Sequence, residues 1–207
     1  MTTLLLARHG ETQWNREGRV QGWAPTGLTD RGQEQAQALG AWLDDRYDVD
    51  RVVVSDLRRT RETVAGVREH AALPDPTVDR AWRERGFGVY QGFLVESLFE
   101  RHPDHDPDHS ISALPADPEG GESVAAFVDR VESTWADLRA GIGDDETVLV
   151  VTHGGVLKWA LGTVTDRSLE GALQTHSPPN CSVTELRLDG AGAELVAEGV
   201  TEWRGSR

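Results

Sequence analysis

The chain has 207 residues, 38 % hydrophobic and 27 % charged, proportions that suit a folded globular protein rather than a disordered one. Its 35 acidic residues against 21 basic ones leave a formal charge of −14, which excludes a general nucleic-acid-binding surface and requires any anion site to be a local cluster of arginines. Cys181 is the only cysteine, so no intrachain disulfide can form, and no apolar run approaches the roughly 18 residues of a membrane span.

Before Leu4 there is no basic segment, and the run Leu4 to Ala7 is too short for a leader, so a soluble cytoplasmic protein is expected. In chain order, "TLLLARH" predicts a buried strand, because a short apolar run leads straight into polar residues. "LTDRGQEQAQALGAWLDDRY" predicts a helix with Asp30 as N-cap, Gln33 three residues on, and an apolar face of Ala36, Leu39, Gly40 and Leu43. "RVVVSD" predicts a second strand and "LRRTRETVAGVREHA" a second helix, after which prolines between Leu73 and Pro76 break the pattern. Residues 102–121, "HPDHDPDHSISALPADPEGG", show little periodicity and predict an irregular surface loop or lid. "ESVAAFVDRVESTWADLRAGI" predicts the longest helix, with Val124, Phe127, Val128, Val131, Trp135 and Leu138 on one stripe. "TVLVVTH" predicts a third apolar strand, "GGVLKWALGTV" a helix directly after it, and "CSVTELRLDGAGAELVAEGV" a terminal hairpin. Alternating strands and helices imply a three-layer α/β/α sandwich with a mostly parallel mixed sheet, in one domain over residues 1–207.

In open α/β sheets, ligands gather at the carboxyl ends of parallel strands. Three candidate strands end there in polar signals: Arg8-His9-Gly10, Ser55 followed by Arg58-Arg59, and His153-Gly154. Arginine gives bidentate, charge-assisted bonds to phosphate oxygens, and glycine lets backbone approach an anion closely. A neutral imidazole is a nucleophile, and neighbouring arginines disfavour its protonated form. Two such histidines with glycines and arginines point to phosphoryl transfer through a phosphohistidine. A metal site fits less well, because neither histidine belongs to a spaced ligand pair and adjacent arginines repel a cation.

"LLLARHGETQWN" resembles the signature of the histidine phosphatase superfamily, the phosphoglycerate-mutase-like enzymes of branch 1. The resemblance continues in family order through "GRVQGWAPTGLTDRG", "SDLRRTRET", "ERGFGVYQG", "GGES", "VTHGG" and "NCSVTEL". It implies a phosphoglycerate-mutase-like fold, with His9 as the nucleophile and Arg8, Arg59 and His153 binding the transferring phosphoryl group. Asn15 and the backbone near Gly154 would assist, and Gln21 and Gly22 belong to the matching segment that lines the site. Glu84 would protonate the leaving alcohol and then activate water, which requires it to be shielded enough to hold a proton. The matched pattern selects Arg59 over Arg58, which reads as an exposed helix residue. Away from the resemblance, Glu84 reads as a surface carboxylate paired with Arg83 or Arg85. Trp14, Trp23 and Trp82 flank the motifs, as pocket lining or as core.

The same family core supports hydrolysis and mutase chemistry, and the loops decide between them. Where mutases resemble Glu-Arg-His-Tyr-Gly, this chain has Glu84-Arg85-Gly86-Phe87-Gly88, and Ala24-Pro25 follows "QGW" in place of an acidic residue. The variable segment at about 93–120 is short and acidic, with Arg101 its only basic residue. A phosphatase acting on small organic phosphate monoesters is therefore expected, with a phosphoglycerate mutase as the alternative and no cofactor or metal required. The rival readings are a non-catalytic phosphate-binding protein, and a metal-binding one using His102, His105 and His109 with Asp104, Asp106 and Asp108. No nucleic-acid or membrane partner is expected, and the oligomeric state stays open, a homodimer included.

Overall fold

The computed structural model describes residues 2–105, 110–165, 178–189 and 192–204. Its strands are β1 (Thr2–Arg8), β2 (Arg51–Val54), β3 (Thr77–Val78), β4 (Thr147–Thr152), β5 (Val183–Leu188) and β6 (Ala193–Val200). Its helices are α1 (Gln13–Arg16), α2 (Asp30–Asp44), α3 (Arg58–Arg68), α4 (Val95–Arg101), α5 (Val124–Ala140) and α6 (Gly154–Val164). They form one six-stranded sheet in the order β3-β2-β4-β1-β5-β6. β3, β2, β4 and β1 are mutually parallel, whereas β5 and β6 close the edge as an antiparallel pair.

The alternation of β1 sorts its residues between two cores. Leu4 and Leu6 pack with Val148, Val150 and Leu186 against the α5 and α6 side chains Phe127, Val131, Trp135, Val156 and Leu157. Leu5 and Ala7 face the other way, with Val52, Val54, Leu149 and Val151, onto Ala36, Leu39 and Leu43 of α2 and Val64 and Val67 of α3. Burying a leucine fully is worth roughly 1.5–3 kcal/mol over leaving it exposed, so the three fully buried leucines of β1 anchor both layers. The expected α/β/α sandwich with its mostly parallel sheet is thus the observed fold.

Local differences have local causes. Thr29, not Asp30, is the N-cap of α2: its hydroxyl accepts from Gly32 N at 3.0 Å, and Asp30 is the first helical residue, its charge facing the positive end of the helix dipole. β3 follows the proline break unforeseen, as a two-residue exposed edge strand. Within 93–120, α4 buries Leu98 in a third, smaller cluster with Val20, Phe87 and Leu114, so α4 and the chain at Leu114 share an apolar base of their own. No described helix is long and apolar enough to cross a membrane.

α2 and α3 touch at their glycines. A Cβ on Gly40 would overlap Val67 O and come within 3.0 Å of Val67 Cα, and one on Gly66 would meet Ala36 Cβ at 2.8 Å. In a solvent-facing helix Gly→Ala gains up to about 1 kcal/mol of helix propensity. Here overlap with rigid backbone outweighs that gain. Gly40→Ala is expected to lower unfolding free energy by about 1–3 kcal/mol in urea titrations, with kcat little changed because α2 lies on the face away from Glu84.

Candidate active site

β1 and β4 run parallel with Arg8 opposite Thr152, and His9 N donates to Thr152 O at 3.0 Å. This registration brings His9 and His153 off adjacent strand ends, with ring centroids 5.3 Å apart. Both rings are buried. Each is followed by the glycine that opens the next segment: Gly10 lies against Gly32 O, 2.6 Å from where a Cβ would stand, and Gly154 begins α6.

The hydrogen bonds of the two histidines differ. His9 Nδ1 lies 2.8 Å from Gly10 O. A carbonyl only accepts, so Nδ1 carries the proton and the Nε2 lone pair is free. Burial, then the charges of Arg59 and Arg8, hold the His9 pKa well below the usual imidazole range. His153 Nε2 lies 2.9 Å from Ser55 Oγ, and its Nδ1 has no partner although it is buried. Burial first, then Arg59, His9, Arg8 and Arg130, keep this ring neutral too.

Arg59, in the first turn of α3, is fully buried. It donates from Nη2 to Gly22 O at 2.8 Å and from Nη1 to Ala24 O at 3.3 Å, while its Nε has no partner. Burial lowers its pKa to about 10, so it remains a cation at neutral pH. Gly22 has a φ of +49°, and a Cβ there would stand 2.9 Å from Phe87 N, so the turn that receives Arg59 needs glycine. Arg58 points outward to Glu62 at 2.6 Å, the exposed helix residue expected of it. Arg8 is half-buried and is steered by a 2.5 Å bond from Nη1 to Pro178 O.

Glu84 stands across the cavity. Arg85 N donates to its Oε1 and Gly155 N to its Oε2, each at 2.9 Å, with Ser112 Oγ 3.4 Å from Oε1. It is not a surface ion-pair partner: Arg83 forks onto Asp56 through Nε and Nη2, each at 2.6 Å. Arg85 turns inward, fully buried, and donates to the carbonyls of Ser112, Leu114, Ala116 and Glu122. It fastens the chain between Ser112 and Glu122 beside Glu84, a duty that its place in a charged run did not reveal.

A cavity of about 190 Å³ connects these groups, lined by Arg8, His9, Asn15, Gln21, Gly22, Arg59, Glu84 and Gly154 among others. The residues to which the resemblance gives a catalytic or binding role therefore all border it except His153, which is buried beside His9. Asn15 Oδ1 accepts from Thr12 N and from Asn180 Nδ2, both at 3.2 Å, so its Nδ2 is the half left to donate. Gln21 Oε1 accepts from Thr12 Oγ and Thr26 Oγ. Asn180 also donates to His9 O at 3.1 Å and so clamps the His9 loop; only its place in "NCSVTEL" hinted at it. Trp14 lines the cavity, Trp23 backs Glu84 by donating to its carbonyl at 2.7 Å, and Trp82 belongs to the core. A larger groove of about 1030 Å³ opens at the far end of the sheet, around Trp135 and Trp159, remote from both histidines.

The His/Asp-rich run takes another form. His102 packs edge-on to Tyr90 and His105 lies against Phe99, which makes both rings packing groups. Asp106, Asp108 and His109 lie outside the described residues. Among the described residues, no group of three His, Cys, Asp or Glu side chains is placed to hold a metal ion.

Two neutral histidines, two guanidinium groups and buried donors without partners form a pocket suited to a tetrahedral oxyanion. The chain is 33 % identical over 189 residues to phosphoglycerate mutase-like protein 4 of Arabidopsis thaliana, covering 89 % of this chain and 79 % of that one. YhfR of Bacillus stearothermophilus superposes with a TM-score of 0.82 at 31 % identity, over 98 % and 99 % of the two chains. The alpha-ribazole phosphatase of Shigella flexneri superposes with a TM-score of 0.78 at 30 % identity, over 93 % and 94 %. Residues 4–201 match the family model itself, and the chain belongs to the histidine phosphatase superfamily, branch 1.

Proposed function

We propose that the protein is a phosphatase that hydrolyses small organic phosphate monoesters through a phosphohistidine on His9. The observation that carries this reading is the state of His9: buried, neutral, and fixed by Gly10 O as the tautomer whose Nε2 lone pair is free. In the first half-reaction Nε2 attacks phosphorus, the bond to the ester oxygen breaks, and Glu84 gives its proton to the leaving alkoxide. In the second, Glu84 takes a proton from water as the water oxygen attacks phosphorus. The phosphorus–nitrogen bond breaks, His9 returns to its neutral form, and phosphate leaves.

Arg8, Arg59 and His153 hold the transferring oxygens. The buried, unpartnered Arg59 Nε and His153 Nδ1 support this role, because an orphaned donor is costly until an acceptor arrives. With the Ser55 hydroxyl donating to Nε2, neutral His153 carries its proton on Nδ1, where a phosphoryl oxygen can receive it. Asn15 Nδ2, Gln21, and the backbone at Gly22 and Gly154 complete the anion's surroundings. The described residues of the 93–120 segment that border the cavity act as its lid, fastened by Arg85 at Ser112, Leu114 and Ala116.

The lid favours hydrolysis over mutase chemistry. Beyond the phosphoryl site the cavity is lined by Trp14, Val20, Phe87, Val95 and Ile111, with Ser110 and Ser112 beside them. The one further cation among the described residues lining it, Arg19, is engaged by Glu17 at 2.6 Å and by Gly92 O. Arg85 is spent on carbonyls and Arg101 lies over the Phe93 ring. Such a wall fits a monoester with a compact, largely apolar alcohol and offers little to a second anionic group.

His9→Ala is expected to abolish release of phosphate from an aryl phosphate and to remove an acid-labile phosphoenzyme from rapid-quench samples; turnover surviving in this variant refutes the nucleophile. Glu84→Gln is expected to slow a substrate with an alkyl leaving group by on the order of 10²–10⁴-fold and an activated one far less in its first half-reaction. Given 3-phosphoglycerate with 2,3-bisphosphoglycerate, the enzyme is expected to release phosphate, and rapid formation of 2-phosphoglycerate would restore the mutase. A Cβ on Gly155 would overlap Glu84 Oε1 and stand 2.7 Å from Ser112 Oγ, both movable side-chain atoms. Gly155→Ala is therefore expected to cost on the order of a hundredfold in turnover of alkyl phosphates, with a nearly unchanged thermal midpoint.

A further inference from the structure

Asn180, in the turn that leads into β5, does not border the cavity, yet its side chain reaches three oxygens around the loop that carries His9. Its Nδ2 lies 3.1 Å from His9 O, 3.2 Å from Asn15 Oδ1 and 3.3 Å from Gly10 O. Two of these are carbonyls, which only accept, so the nitrogen of this amide and not its oxygen must face them. Gly10 O also accepts from His9 Nδ1 at 2.8 Å, so the carbonyl that sets the His9 tautomer is one that Asn180 holds. The next residue, Cys181, takes a φ of +53°, a left-handed conformation rare outside glycine, and its N–H lies 3.1 Å from both Arg8 O and His9 O. Strain of this kind persists where the surroundings over-determine it, and here it brings a backbone donor and a side-chain donor onto one loop.

The Asn15 end of the contact decides which half of that amide meets the cavity. Thr12 N donates to Asn15 Oδ1 at 3.2 Å, as does Asn180 Nδ2. A backbone N–H only donates, so the atom between them is the oxygen, and Nδ2 is left on the cavity side. Thr12 caps the helix that contains Asn15, so its grip fixes the amide within α1 but not α1 against the nucleophile. Asn180 comes from 165 residues further along the chain and ties Asn15 to the His9 and Gly10 carbonyls. We propose that Asn180 is a positioning residue that keeps the Asn15 Nδ2 donor in fixed register with His9, so that it meets the transferring phosphoryl group.

The inference rests on the proposed roles of Asn15 and His9, and the test separates them. Binding of orthovanadate, an oxyanion close in size to the transferring group, is measured by calorimetry on the unphosphorylated protein as a double-mutant cycle. Asn15→Ala is expected to weaken binding by on the order of 10–100-fold, the loss of one hydrogen bond to a charged group. In an Asn180→Ala background the same change is expected to cost roughly twofold or less, because the Asn15 amide is no longer aimed. Asn180→Ala by itself is expected to slow phosphoenzyme formation from an aryl phosphate by on the order of tenfold in rapid quench. Asn180→Asp keeps the shape but sets an acceptor where the donor stood, so it is expected to remove the coupling too, and it serves if Asn180→Ala does not fold.

A merely structural Asn180 would lower the thermal midpoint and leave the Asn15→Ala factor equal in both backgrounds, and that result overturns the inference. If Asn15→Ala binds orthovanadate as the wild type does, the role of Asn15 falls and the inference with it. If the coupling is seen but no phosphoenzyme forms in the wild type, the role of His9 falls while the hold of Asn180 on Asn15 stands.

Discussion

The parallel registration of β1 with β4 is the constraint on which the rest of the molecule depends. With Leu4 opposite Val148 and Arg8 opposite Thr152, the chain has no freedom in where His9 and His153 emerge. A slip of one residue would exchange Leu4 and Leu6 for Leu5 and Ala7 between the two cores, turning every side chain to the wrong layer. The two apolar layers thus set the positions of the polar site, because the cost of misplacing several buried leucines far exceeds any strain the site could exert. That rigidity is what lets buried, unpartnered donors persist at Arg59 and His153 without the pocket collapsing onto them.

Around this fixed floor the walls are held by main-chain carbonyls. Arg59 is aimed by Gly22 O and Ala24 O, Arg8 by Pro178 O, His9 by Gly10 O, and Arg85 clasps the carbonyls of Ser112, Leu114, Ala116 and Glu122. Each of these is a charged or polar side chain oriented by backbone rather than by another side chain. Backbone oxygens do not titrate, so the geometry survives changes of protonation that would scatter a network of carboxylates. The only carboxylate among the described residues that line the pocket, Glu84, is itself held by two amide N–H groups.

The sequence made the central strands and the long helices legible because their apolar periodicity is strong: the stripe Phe127, Val131, Trp135, Leu138 is buried as spaced. It also disclosed which polar residues would meet, since three strands end in Arg-His-Gly, Ser and His-Gly and parallel strands bring those ends to one edge. Cap and edge details escaped it. Thr29 and Asp30 are both good caps, and only the reach to Gly32 N decides between them. β3 has two residues, too few to show a period. The partners of Arg85 and Asn180 were hidden for a different reason: each acts through contacts 27 or more residues away. In one dimension a buried arginine looks the same as a solvated one. His105, by contrast, looked like a ligand and lies against Phe99.

The clasp of Arg85 has a consequence for how such a protein can change. Ser112, Leu114, Ala116 and Glu122 contribute only their carbonyl oxygens to it, and a carbonyl is present whatever side chain the residue bears. The identities of the residues that look into the cavity, Ser110 and Ile111 among them, are thereby uncoupled from the fastening of the segment that carries them. Substitutions there can reshape the cavity wall while the floor of histidines and arginines stays as it is. A lid tied down by its backbone is a surface on which new substrate preferences can be tried one residue at a time.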